Sequence, residues 1–408
     1  MLNALSPEIR QYFVITGNYW AFTLTDGALR MLVVLYFHQL GYNPLEIALL
    51  FLFYEFFGVV TNLVGGWLGA RIGLNRTMHI GLGLQVIALS MLLVPSALLT
   101  VPWVMAAQAL SGIAKDLNKM SAKSSIKLLV PEDNQSGLYK WVALLTGSKN
   151  ALKGMGFFIG GALLTLLGFK TAILVMAIGL AIVWLLSLVL LKKEMGKAKN
   201  KPKFTQIFSK DPAINYLSAA RMFLFGSRDV WFVVALPVFL ATQLSWDHWQ
   251  VGGFLALWII GYGIVQTVAP KLTGKNSGIT PDGKSALIWA AILCVIPAII
   301  AICIQSGFYP NTGLLLGLVI FGGIFALNSS LHSYLIVSYA KADGVSMDVG
   351  FYYMANAMGR LIGTVLSGYL FQQSGIEACL WVSSLFIAIT ALISLRLPQN
   401  KSLKSEVH

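Results

Sequence analysis

The sequence predicts an all-α integral membrane protein with twelve transmembrane helices in two six-helix halves. Three observations carry that prediction. The 408 residues are 57% hydrophobic and only 11% charged, whereas soluble domains hold about 25% charged residues. Apolar runs long enough to cross a bilayer recur along the whole chain. A polar, basic stretch interrupts them once, close to the midpoint.

Taken in order, the apolar segments fall near 11–38, 45–69, 77–96, 101–122, 138–166 and 170–191, then near 213–241, 249–270, 285–305, 312–339, 349–373 and 376–396. At a rise of about 1.5 Å per residue each can span. The opening MLNALSPEIRQYF has no short leader with a small-residue cleavage site, so the first segment is expected to be retained as a spanning helix. Lys192–Asp211 reads KKEMGKAKNKPKFTQIFSKD, the longest polar stretch. It is expected to link a first half, 1–191, to a second, 213–408, as a basic cytoplasmic segment over 192–212.

Charge sorts with topology. Twenty-nine basic against sixteen acidic residues give +13. With both termini in the cytoplasm, the inside loops receive Arg71, Arg76, Lys123, Lys127, Lys140, the Lys192–Lys210 cluster, Lys271, Lys275, Lys284 and Lys341, and the tail adds Arg396, Lys401 and Lys404. The outside loops receive little beyond Lys170. This is the positive-inside pattern. It explains the excess without nucleic acid, for which there is no soluble basic domain. Three cysteines are too few for a disulfide scaffold. No catalytic triad, metal-ligand spacing or nucleotide loop stands out, so neither an enzyme nor a cofactor or metal site is expected. Weakly matched halves around a central basic loop fit the internal-repeat plan of secondary transporters.

The informative residues are charges placed where lipid excludes them. Arg30, Lys115, Lys119, Lys149, Lys153, Arg221, Arg228 and Arg360 stand against Asp26, Glu55, Asp116 and Asp229, eight basic to four acidic. Surplus positive charge in a bundle suits an anionic substrate. Arg30 and Arg228 lie deep in segments 1 and 7, at matching places in the halves, and are expected to grip one anion through their planar forks. Internal pairing, Arg30 with Asp26 and Arg228 with Asp229, is the alternative, although neighbours such as Arg228 and Asp229 do not share a helix face. Lys149 and Lys153 are four apart and share a face, where an anion or acidic neighbours relieve their repulsion. Lys115 is the deeper of the Lys115/Lys119 pair and a further anion contact. His332, four residues after Asn328, is read as an anion donor, a proton carrier or a hydrogen-bonded interface residue. Arg360 is either a cavity contact or the partner of an acid, and Arg221 is expected to snorkel from near the inner end. Asp26, Glu55 and Asp229 are candidates for proton or charge coupling.

Gly65–Arg76, GGWLGARIGLNR, resembles the helix 2–3 loop motif of the major facilitator superfamily. Gly66, Arg71, Gly73 and Arg76 carry that likeness and imply a gating motif, while Ala70 occupies the usual acidic position. The resemblance implies the superfamily's fold, with alternating access. A narrower resemblance runs through Asn18–His38, Phe51–Thr77 and Ser111–Lys127. These stretches are similar to the ArsJ organoarsenical efflux permeases of that superfamily. That likeness implies a bacterial inner-membrane protein exporting 1-arseno-3-phosphoglycerate and so conferring arsenate resistance. It also implies a functional partnership with a glyceraldehyde-3-phosphate dehydrogenase, and contact with lipid and a small anionic organoarsenical. Proton or anion coupling is left open. A carrier for phosphate, sugar phosphate or another organic anion is the alternative, and a non-transporting receptor or scaffold a more distant one.

Overall fold

A computed structural model describes residues 7–42, 47, 50–191, 194–199, 201–273 and 280–399. Lys192, Lys193, Lys275, Lys401 and Lys404 of the basic pattern lie outside them. Over the described residues the chain is helical, with short turns and an extended stretch after residue 191. The helices are α1 (Pro7–Gln39), α2 (Leu52–Ile72), α3 (Leu74–Met91), α4 (Val101–Leu129), α5 (Gln135–Leu190), α6 (Pro212–Phe232), α7 (Ala235–Gln243), α8 (His248–Thr273), α9 (Gly283–Gln305), α10 (Pro310–Tyr339) and α11 (Val345–Ser394).

Among the described residues, seven helical runs are long and apolar enough to cross a membrane, one of them α6 and α7 together over Pro212–Gln243. The helices α2, α3 and α4 are not among the seven. Two of the runs, α5 and α11, are each interrupted once, at Gly168 (φ 72°, ψ 171°) and at Gly375 (φ 76°, ψ −174°). Only glycine adopts this backbone region readily. The loops expected near 167–169 and 374–375 are thus single-residue kinks.

Burial runs opposite to a water-soluble fold. Leu166, Ile182, Leu185 and Val189 of α5, and Val295 and Ile299 of α9, face outward, whereas Asp26, Gln85, Asp116, Asn118, Asp229, Asn328 and His332 are buried. Lipid rewards the first arrangement, and the second confines polar groups to protein surroundings. Helix ends follow local chemistry. The Asp211 carboxylate accepts from the Ala213 amide at the start of α6, with Pro212 in the first turn, and Asp282 accepts from the Ser285 amide at the start of α9; both satisfy amides that lack an intrahelical partner.

The chain divides into two compact units. The first gathers the described residues up to Asn134 with Ser148–Phe208 and Ala340–Met354; the second gathers Gln135–Gly147, Ser209–Tyr339 and the described residues from Ala355. In the first unit α1 meets α5 at Gly27 and Gly156, where a side chain on either would strike backbone. The second unit is packed around Trp231, Trp258, Phe321 and Phe325. There the Trp258 indole donates to the Leu318 carbonyl at 2.9 Å.

Candidate functional site

In the first unit α1 presents Asp26 and Arg30 one turn apart, yet they do not pair with each other. The Arg30 Nη2 lies 3.4 Å from Glu55 Oε1, and its guanidinium lies over the Phe51 and Tyr54 rings at 4.9 and 5.2 Å. Asp26 instead accepts from the Tyr54 hydroxyl, at 2.8 and 3.0 Å to its two oxygens. The Tyr54 ring also takes the Lys115 ammonium on its face, 3.8 Å from the centroid. Tyr54 therefore joins α1 to α4, and no sequence signal singled it out. A contact without side-chain bulk makes this possible: a Cβ on Gly112 of α4 would strike the Tyr54 backbone.

Beyond Lys115, the buried Asp116 accepts from Lys119 Nζ at 2.7 Å and lies 3.9 Å from Lys115 Nζ. The Lys119 ammonium also lies 4.6 Å from the Tyr353 ring centroid. Arg30, Lys115 and Lys119 are thus set among Asp26, Glu55 and Asp116, a formally neutral network. Lys149 and Lys153 stand on α5. The Lys149 ammonium donates to Asn150 Oδ1 at 3.3 Å, and the Lys153 carbonyl packs against Gly27 of α1.

The second unit is not balanced. Asp229 is fully buried, with one guanidinium on each oxygen: Arg228 Nε donates to Oδ1 at 2.6 Å and Arg360 Nε to Oδ2 at 3.0 Å. The expectation that neighbours on a helix do not meet fails here. The Arg228 side chain is long enough to fold back beside its own helix, where Phe225 and Phe325 lie 5.0 and 5.6 Å from its guanidinium. Arg360 meets an acid, as its alternative reading held.

Arg221 does not snorkel. It is 3% exposed, donates from Nε to Asn356 Oδ1 at 2.9 Å and from Nη1 to the Ser329 carbonyl at 3.1 Å, and covers Phe225 at 3.9 Å. Fixed acceptors inside the unit hold it better than the helix end would. Arg228 and Arg360 thus share the single carboxylate of Asp229, a formal excess of one positive charge in that cluster, while Arg221 is held apart on its own acceptors. His332 is buried, and neither ring nitrogen has a hydrogen-bond partner among the described residues. Asn328 donates to the Trp289 carbonyl at 2.9 Å. Among the described residues, no three His, Cys, Asp or Glu side chains converge as a metal-binding group.

The Gly65–Arg76 motif lies at the end of α2 and the start of α3. Gly66 abuts the Ser346 carbonyl of the α11 start, and the Ser346 hydroxyl donates to the Gly66 carbonyl at 2.7 Å. Arg71 covers Trp67 at 5.2 Å. Gly73 makes the break between α2 and α3 at φ 104°, ψ 156°, a conformation that strains any other residue. Arg76 Nε lies 3.9 Å from Glu194 Oε1.

Solved transporter structures share this fold. The human organic anion transporter MFSD10 (TETRAN) superposes with a TM-score of 0.76 at 15% identity, over 96% of this chain and 100% of that one. A bacterial homologue of the iron transporter ferroportin, in an outward-facing state, gives 0.74 at 16% identity, over 94% and 98%. The E. coli fucose:proton symporter FucP gives 0.72 at 13% identity, over 95% and 98%. At these identities the likeness is one of fold. No curated protein matches the chain significantly in sequence. Residues 15–302 match the profile of the Major Facilitator Superfamily. With that match covering well over half of its length, and an all-α, multi-pass membrane fold of the same kind, the chain belongs to the Major Facilitator Superfamily.

Proposed function

We propose that this carrier moves a small organic anion by alternating access. The observation that supports the reading is the second unit's surplus: two half-buried guanidiniums, Arg228 and Arg360, share one carboxylate. Two guanidiniums sharing one carboxylate leave a net positive charge that is costly to bury, and an anion with oxygens on a tetrahedral centre offers the geometry that arginine forks satisfy. Arg228 and Arg360 are assigned to the anion in the second unit. Arg30 and Lys115 are assigned in the first, with Lys149 and Lys153 as further contacts. Asp26, Glu55 and Asp229 are the carboxylates assigned to charge or proton coupling. His332, buried in the second unit, is retained as a proton-carrying candidate. Gly66, Arg71, Gly73 and Arg76 are assigned to gating.

The same proposal includes twelve spans. The seven apolar runs supply nine once α5 and α11 are divided at Gly168 and Gly375, and α2, α3 and α4 complete the set. Two six-helix halves about the 192–212 linker, with both termini in the cytoplasm of a bacterial inner membrane, fit the distribution of lysine and arginine. Within the organic anions, the likeness of Asn18–His38, Phe51–Thr77 and Ser111–Lys127 to organoarsenical permeases favours 1-arseno-3-phosphoglycerate, supplied by a glyceraldehyde-3-phosphate dehydrogenase. The fold shared with a human organic anion transporter agrees with the broader class.

Uptake into everted vesicles tests both levels. Protein-dependent accumulation of enzymatically made 1-arseno-3-phosphoglycerate, above that of arsenate and 3-phosphoglycerate, is expected. Accumulation of 3-phosphoglycerate alone supports the broader class and removes the arsenical. Accumulation of none, across a panel of phosphate, sugar phosphates and carboxylates, overturns the reading. Arg228→Gln and Arg30→Gln are expected to lower uptake at least tenfold.

A further inference from the structure

The gating motif lacks its acidic residue: Ala70 stands where the resemblance calls for a carboxylate. A carboxylate is nevertheless present at this turn, brought from Glu194, well over a hundred residues downstream. After α5 the chain runs back along the first unit as a strap, residues 194–199 and 201–208. The Glu194 carboxylate lies directly against the Gly73 Cα, with Oε1 3.9 Å from Arg76 Nε and the Arg76 amide directed at it.

The strap backbone completes the fit. The Leu74 amide, an unpaired donor at the start of α3, gives its hydrogen to the Met195 carbonyl at 2.9 Å. The Ala70 carbonyl, an unpaired acceptor at the end of α2, takes the Ala198 amide at 2.8 Å. Two helix-end groups that would otherwise need water or a cap are thus satisfied by one segment. Gly73, at the start of α3, has no side chain to cap that helix. Further along, Trp67 donates from its indole to the Pro202 carbonyl at 3.0 Å and meets Phe204 edge-on at 5.6 Å. The Lys199 amide donates to Asp343 Oδ1 at 3.0 Å, just ahead of α11, and Phe208 packs against Phe351.

We propose that the linker is a built-in clasp on the gating motif, with Glu194 as the positioning residue that takes the place of the missing acid. The absence of a side chain beyond Cβ at position 70 belongs to the same arrangement, because Ala70 is fully covered while its carbonyl pairs with the strap. The clasp ties together the end of α2, the start of α3 and the start of α11, the pieces that Gly66 and Ser346 also join. It is independent of which solute is carried. Its hold comes from fit and from the carboxylate's contact with Arg76: Oε2 is buried with no hydrogen-bond partner among the described residues, and burial pushes the Glu194 carboxyl up against the opposing pull of Arg76 and Lys197. A neutral side chain of the same shape therefore seats as well as glutamate.

Hydrogen–deuterium exchange on the full chain in lipid nanodiscs tests this. Glu194→Ala is expected to speed exchange about fivefold or more over 70–78 and 194–204, leaving α6 unchanged, as local opening does. Glu194→Gln is expected to restore the protection of the unaltered protein. Unchanged exchange at 70–78 in Glu194→Ala overturns the clasp. So does a rise spread evenly over the chain, or a glutamine variant as loose as the alanine one.

Discussion

Replacing Asp229 with asparagine removes the charge that two half-buried arginines share. The Arg228 and Arg360 side chains are 15% and 30% exposed, whereas Asp229 is wholly enclosed. Removing one partner of a buried pair costs about 3–5 kcal/mol, and the residual hydration of both guanidiniums places this case at about 3 kcal/mol. A second route agrees. Two like charges taken to be about 6 Å apart across the vacated carboxylate, at an effective dielectric of about 20, would repel by about 3 kcal/mol. For a unit of this size that corresponds to a fall of about 6–12 °C in the unfolding temperature. Tryptophan fluorescence during a heating scan of fixed rate in detergent measures it, since Trp231 and Trp258 lie in the core of the same unit. Removing one cation as well, in Asp229→Asn with Arg360→Gln, is expected to recover more than half of the loss. A fall below about 2 °C for the single variant would refute the charge argument, as would a double variant no more stable than the single.

Other predictions concern the first unit. Tyr54→Phe keeps the ring that carries Arg30 and Lys115 but strips Asp26 of its hydroxyl donor; a loss of about 1.5–3 kcal/mol should appear in the same heating scan. Gly66→Ala drives a Cβ into the Ser346 carbonyl and is expected to cost about 1–3 kcal/mol, whereas Gly161→Ala, whose nearest neighbour is the tip of Leu35 at 3.8 Å, is expected to be neutral. The clasp has a pH dependence of definite sign. Burial raises the Glu194 carboxyl, so its contribution is complete below the ordinary carboxylate range and is lost as pH rises through the raised value. Protection factors at 70–78 should therefore fall across that window, and Glu194→Gln should make them flat; a rise with pH would contradict the assignment.

The helices were legible because lipid demands long apolar runs, and the runs near 285–305 and 312–339 correspond closely to α9 and α10. The breaks between segments 5 and 6 and between 11 and 12 were legible in position, near 167–169 and 374–375, but not in being single-residue kinks. A single glycine at φ 72° or 76° turns the chain there, beside Lys170 in one case and Gln372, Gln373 and Ser374 in the other. The charged residues were legible as a set, since lipid makes each one conspicuous. Their partners were not. Arg30 finds Glu55 on another helix, Arg360 finds Asp229 from 131 positions away, and Tyr54 looks in sequence like any interfacial aromatic. Helix-face reasoning failed for Arg228 and Asp229 because it treats side chains as short spokes, and an arginine of four rotatable bonds is not one. Ala70 was visible as a departure from the motif, but its compensation at Glu194 arises only when the linker folds back.

Gly168 and Gly375 also bear on how the chain enters the bilayer. With a kink of one residue, 135–190 offers the insertion machinery only a short tip bearing Lys170 to carry across between its two arms, and 345–394 one bearing Gln372, Gln373, Ser374 and Glu377. On the twelve-span reading each pair is then expected to partition sideways as a preformed hairpin, its tip never exposed as a separate strand in water. At Gly168 a Cβ would touch nothing, so the demand there is one of backbone shape alone. A bulkier residue would spoil the bend during biogenesis even where the finished protein has room for it.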